Sequence, residues 1–254
     1  MSHTSVAAGH LAENDFRVGS VISRAVSVLW RHVPLFLMVA LVAYSPILLA
    51  ARTQPIDDPT DGAQVLSALA QAVLALIPLI VVSTFGEAII VHAAFQDMRR
   101  RPVRLVESLN VVVRRSLPIV GFAFVATFLI QLGFMVLVIP GLFLYTIWFV
   151  ALPACVIERL GPWTSLRRSR ELTKGHRWKL FGLALLIIII SLGASFLITA
   201  GLAAVAGPTV AVIGRLIWKA IWGAFATVVI VMTYHDLRVT KEGADVDQVA
   251  AVFD

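Results

Sequence analysis

Six apolar stretches, separated alternately by short turns and by arginine-rich segments, leave this chain few folds to choose from. Each comes near or exceeds the roughly 20 residues that carry an α-helix across a bilayer. Spans are expected at about 33–51, 65–95, 117–138, 142–158, 178–201 and 212–234. In lipid each backbone N–H and C=O must be satisfied inside the protein, so the expected fold is all-α, a polytopic membrane helical bundle. Composition agrees: 59% of residues are hydrophobic and 14% charged, against about 25% charged in an ordinary soluble domain. One six-helix transmembrane domain is expected over 16–234, with cytoplasmic tails at 1–15 and 235–254. Residues 1–15 hold Glu13 and Asp15 and no apolar core. No cleavable signal peptide is therefore expected, and the first span is expected to serve as the insertion signal.

The charges give the expected orientation. Of the 21 basic residues, all but Arg52, Arg215 and Lys219 fall before span one, between spans two and three, between four and five, or after six. The opposite side carries Asp57, Asp58 and Asp61 in a polar loop over Gln54–Gln64. The positive-inside bias then places both termini in the cytoplasm. The formal charge of +6 is thereby explained by membrane interfaces, and no nucleic-acid partner is expected.

Three basic segments carry apolar residues at helical spacing. Phe16–Arg31 has Arg17, Arg24 and Arg31 seven apart along one flank; Val103–Ser116 ends in Arg114 and Arg115; Pro162–Lys174 opens on Gly161-Pro162 and closes at Gly175. Such helices suit an anionic membrane surface, and proline at an early helical position gives up an N–H that had no partner there. The chain thus reads as three copies of one unit: basic amphipathic interfacial helix, span out, short turn, span back. The outward spans begin alike, with RHVPLF, RSLPIV and HRWKLF; the returning spans end alike, in Asp97-Met98-Arg99, Glu158-Arg159 and Asp236-Leu237-Arg238. Turns are expected at Ile139-Pro140-Gly141 and over Gly201–Pro208, and Pro46 and Pro78 are expected to kink their spans. Small residues would hold such hairpins together by close backbone approach. Ser191, Ser195 and Thr199, with Gly193 and Gly201 nearby, form the clearest stripe; Thr127 and Gln131 form a weaker one.

Motifs of the second half add a family likeness. Pro140-Gly141, Leu152-Pro153, Glu158, Gly161-Pro162, Ser165-Leu166-Arg167-Arg168-Ser169 and Leu172-Thr173-Lys174-Gly175 stand in order, and Tyr234-His235-Asp236-Leu237-Arg238 with Lys241-Glu242-Gly243 follows. In these motifs the chain resembles the membrane domain that accompanies some bacterial glycerophosphoryl diester phosphodiesterases, and the stand-alone membrane proteins related to it. The resemblance implies a multi-span protein of the bacterial inner membrane. Hydrolysis in that family belongs to a separate soluble barrel with clustered His, Glu and Asp metal ligands. No such barrel lies in these 254 residues, so phosphodiesterase activity is not expected of them.

Chemistry-bearing residues are few. No zinc-protease, nucleophile-elbow, phosphate-loop or dinucleotide motif is present. None of His3, His10, His32, His92, His176 and His235 has a second ligand at metal spacing, and Cys155 lies alone in an apolar run. No metal, cofactor or catalytic residue is expected. Glu87 stands apart. It lies about 15 Å along its helix from Asp97, near mid-membrane, where an ionisable residue marks a functional site by default. Ser83 and Thr84 lie one turn earlier on its face. Either Glu87 is neutral and bonded to a neighbouring helix, or it lines a wet cavity. Lys219 or Arg215 could oppose it, although both are better placed to snorkel outward beside Trp218 and Trp222. Arg167, Arg168, Arg170 and Lys174, flanked by Trp163 and Trp178, are expected to meet anionic lipid head groups on the cytoplasmic face. The expected function is that of a non-enzymatic accessory or scaffold subunit that organises membrane partners or lipids. The alternative is a carrier or binder of a lipid or amphiphile, with a cavity near Glu87.

Overall fold

The computed structural model describes residues 18–50 and 61–253, with the backbone alone described at 49–50 and 244–253. The expected N-terminal tail, Arg17, Arg52 and the loop residues Asp57 and Asp58 lie outside the described residues. Among those described there is no strand, and the order is α1 (Val18–Arg31), α2 (Val33–Tyr44), α3 (Ile47–Ala50), α4 (Gly62–Met98), α5 (Leu105–Arg114), α6 (Ser116–Val136), α7 (Val138–Ile147), α8 (Ala151–Ile157), α9 (Pro162–Thr173), α10 (Arg177–Ala206) and α11 (Pro208–Phe253). Five stretches are long and apolar enough to cross a membrane: α4, α6, α7 with α8, α10, and α11 to Gly243. A sixth is reached if α1 and α2, which meet at a bend of 92°, count as one. The chain is therefore an all-helical, multi-pass membrane protein.

Local sequence explains where the helices begin. Proline occupies the first turn of α2 (Pro34), α6 (Pro118), α7 (Pro140), α9 (Pro162) and α11 (Pro208), positions whose N–H has no intrahelical acceptor. Asp61 caps α4 by accepting from the Ala63 N–H at 2.9 Å. The expected kink at Pro46 is a full break between α2 and α3, whereas α4 continues as helix through Pro78. The turn expected at Ile139–Gly141 falls earlier: Leu137 alone is extended, and Pro140 already sits inside α7. The turn expected over Gly201–Pro208 is likewise shorter, because α10 runs to Ala206 and Gly207 alone reverses the chain at φ +87°. The expected C-terminal tail after Tyr234 continues α11 as helix.

Helices adjacent in sequence pack as pairs, α2 on α4, α6 on α7 and α10 on α11, and α11 also touches α1, α2 and α4. The glycines that permit close approach are not those of the expected stripe. A Cβ at Gly193 or Gly201 would meet nothing within 4 Å. Contact occurs instead at Gly86, where a Cβ would overlap Ala43, and at Gly133, where it would lie 3.0 Å from the Gly141 Cα. Gly214 and Gly223 are closed in the same way by Leu202 and Tyr44.

The buried polar stripe also lies elsewhere, on α9. Ser165, Ser169 and Thr173, four residues apart, are fully buried beside Leu166 and Leu172. Their role follows from the break in the helix at Trp148–Val150. The Ala151 N–H turns to the Trp148 carbonyl at 3.0 Å, which leaves the Ile147 carbonyl to be satisfied from elsewhere. Ser169 donates to it at 2.8 Å and Thr173 at 3.4 Å. The third basic helix is thus docked into the bundle through its polar face.

Candidate functional site

Glu87 stands in the second half of α4, beside Gly86. Because Gly86 has no side chain, α2 approaches closely enough for the Tyr44 hydroxyl to donate to Glu87 Oε1 at 2.8 Å. Tyr44 is buried and is held from the far side by Gly223, whose added Cβ would lie 2.5 Å from the phenolic oxygen. Lys219 does not snorkel outward: its ammonium lies 5.8 Å from the Tyr44 ring centroid, within the range of a cation–π contact. A long side chain can reach back along its helix to do this. Trp218 and Trp222 stack with centroids 5.5 Å apart. Arg215 occupies the same flank of α11.

A cavity of about 220 Å³ adjoins Glu87, lined by α4, α6, α7, α8 and α11. Its polar lining is Glu87, Thr84, Thr127, Tyr145 and Thr227. The structure joins Glu87 and Thr84 there but leaves Ser83 out of the lining; Ser83 donates to the Ile80 carbonyl of its own helix at 3.3 Å. The hydroxyls of Thr84 and Thr227 are also spent on their own helices, donating to Ile80 at 2.7 Å and Gly223 at 2.8 Å. Glu87 supplies lone pairs there, and Thr127, Tyr145 and Trp148 can donate as well. The space suits a polar head group that can donate to the carboxylate, a hydroxyl or an ammonium. Its volume lies below the roughly 300 Å³ at which sites for drug-sized ligands begin, so it fits a small head group or chain end rather than a whole amphiphile.

At the arginine-rich rim, the acid ending each returning span grips an arginine of a basic helix. Asp97 accepts from Arg31 at 3.1 Å and lies 2.9 Å from the His32 ring. Asp236 pairs with Arg24. Glu158 accepts from Arg168 at 3.0 Å and from the Tyr234 hydroxyl at 2.7 Å. Arg168 also donates to Glu242 at 2.7 Å, and Arg238 binds the same carboxylate at 2.8 Å. Burial opposes the charge on Arg168, but Glu158 and Glu242 outweigh it and hold the guanidinium above its ordinary pKa. Arg168, expected at the head groups, is therefore a tie between α8, α9 and α11. Arg167 pairs with Glu171, one turn along, and remains exposed, as do Arg170 and Lys174. Trp163 and Trp178 are exposed beside them.

The sequence gives Tyr44 and Tyr145 no expected role, and Tyr234 only a place in a motif. The chain has three tyrosines: Tyr44 bonds Glu87, Tyr234 bonds Glu158, and Tyr145 lines the cavity. A usable signal existed, because a phenol in an apolar helix needs a hydrogen-bond partner and carboxylates within the spans are scarce. Among the described residues no group of three His, Cys, Asp or Glu side chains is arranged to hold a metal ion. Comparison with protein-family models, with curated proteins and with solved structures finds no match to this chain.

Proposed function

We propose that this chain is a non-enzymatic protein of the bacterial inner membrane that binds an amphiphile through the cavity beside Glu87. The observation that carries the proposal is a carboxylate inside the bundle, lining a space shared with the Thr127 and Tyr145 hydroxyls. The matching ligand is a membrane amphiphile with a hydroxyl- or ammonium-bearing head. In this reading six spans form three hairpins, each led by a basic interfacial helix, and kinship with the phosphodiesterase-associated membrane domain rests on the motifs of the second half. Exposed Arg167, Arg170 and Lys174 meet anionic lipid on the cytoplasmic face.

The test is purification in a mild detergent, followed by identification of bound lipids and native mass spectrometry. Wild-type protein is expected to retain one amphiphile. Glu87→Gln keeps an acceptor for Tyr44 and should fold normally, with occupancy reduced about tenfold or more. Unchanged occupancy in Glu87→Gln would remove the cavity from consideration as the binding site. A scaffold reading is favoured by the outer part of α10, where Gly193 and Gly201 have no neighbour within 4 Å. A stoichiometric membrane protein in place of the lipid in the same preparation would support it.

Orientation has its own measurement. In intact cells a single cysteine at Asp58 is expected to react with an impermeant maleimide, and one at Ser2 only after permeabilisation. Labelling of Ser2 from outside would reverse the proposed topology.

A further inference from the structure

Two sets of rim arginines differ in how they are paired. Arg24, Arg31 and Arg168 each meet a carboxylate on or at the end of another helix, and Arg238 meets one on its own. Arg104, Arg114, Arg115 and Arg159 form no ion pair among the described residues, yet they converge on one groove of about 660 Å³ between α5 and the end of α8. Glu107 and Asn110 complete its polar lining. Four guanidinium groups thus face one carboxylate in a concave space, an arrangement that repels itself until an anion enters.

Two of these arginines are held in place by the backbone. Arg115 donates to the Cys155 carbonyl at 3.4 Å, which ties the start of α6 to α8. Arg159 reaches the groove from a left-handed backbone position, φ +57°, which is uncommon for a residue with a Cβ and clusters at functional sites. The groove volume falls within the range of about 300–1,000 Å³ typical of ligand sites. Its flank is apolar and open: Val106, Val113 and Leu117 are 72%, 63% and 83% exposed.

We propose that this groove binds the phosphate of an anionic phospholipid, with the acyl chains lying along Val106, Val113 and Leu117. Guanidinium groups match phosphate oxygens with paired hydrogen bonds. The apolar flank selects a lipid head group over a soluble phosphate of the same charge. The site is separate from the Glu87 cavity, and its lining overlaps none of that cavity's residues.

The test is equilibrium titration of the full chain in dodecyl maltoside with fluorescent phosphatidylglycerol. Phosphatidylcholine and inorganic phosphate serve as competitors. Wild-type protein is expected to bind phosphatidylglycerol saturably, with little displacement by either competitor. Each arginine removed should weaken binding about fivefold, so Arg104→Gln with Arg159→Gln should lose about 25-fold. Arg167→Gln with Arg170→Gln, outside the groove, should change it less than twofold. Glu107→Gln should tighten binding about fivefold, a gain that misfolding cannot imitate. Equal losses in the two double variants, or no tightening in Glu107→Gln, would overturn the site. Displacement by phosphatidylcholine would overturn its charge basis, and displacement by inorganic phosphate its assignment to lipid.

Discussion

Glu158→Ala is expected to destabilise the protein by about 3 kcal/mol, the largest effect of any single charge removal at the rim. The carboxylate joins three elements at once, sharing the Arg168 Nε–H between its two oxygens at 3.0 Å and accepting from the Tyr234 hydroxyl at 2.7 Å. Its side chain is 16% exposed and that of Arg168 27%. Removing one partner of a fully buried pair costs about 3–5 kcal/mol because the other charge is stranded. Partial exposure and the remaining Glu242 contact hold the expectation at the lower end of that range. Arg168→Ala should cost less than Glu158→Ala, since Tyr234 still satisfies the acid. The double variant should fall short of the sum by about 1–2 kcal/mol. Thermal unfolding in mild detergent reads all three. A loss below 1 kcal/mol for Glu158→Ala would mean that water already screens the pair, as it does for surface bridges.

Gly86→Ala is expected to be nearly as severe, at about 3 kcal/mol, from the addition of one methyl group. The new Cβ would overlap the Ala43 side chain, with the Ala43 Cα at 3.4 Å and the Val39 carbonyl at 3.6 Å behind it. Neither a Cβ nor a backbone atom can rotate away, so α2 and α4 must separate, at the upper end of the roughly 1–3 kcal/mol typical of overpacking. Separation also draws Tyr44 from Glu87, so amphiphile occupancy should fall with stability. Gly193→Ala is the matched control: nothing lies within 4 Å of its Cβ, and a change within about 0.5 kcal/mol is expected. Comparable losses for the two variants would mean that Gly193 is covered by a partner, in favour of the scaffold reading.

These two predictions show what a linear reading could reach. The membrane class, the near-continuous helix and the places where helices start were legible, because they depend on apolar length, backbone satisfaction and proline, all of which act within a turn or two of chain. Gly161-Pro162 and Gly175 bound α9 in the manner expected, with Gly175 at φ +95°. Glu87 was legible as an anomaly, since a carboxylate in an apolar run is conspicuous wherever it points. The small-residue contacts were not. Gly86 and Gly193 sit in equally apolar surroundings, and only the rotation of each helix about its axis decides which meets a neighbour.

Sequence by itself determined that this chain is a multi-pass helical membrane protein, with acids and arginines gathered at span ends and one acid within a span. Only the tertiary structure decided the partners: Tyr44 for Glu87, Lys219 turned toward that tyrosine, Arg168 bound into the frame, and four other arginines left around an open groove. The physical reason is range. Helix formation in lipid is driven by backbone groups a few residues apart. The Tyr44–Glu87 bond spans 43 positions and that between Tyr234 and Glu158 spans 76, and such bonds exist only after packing has fixed which faces meet.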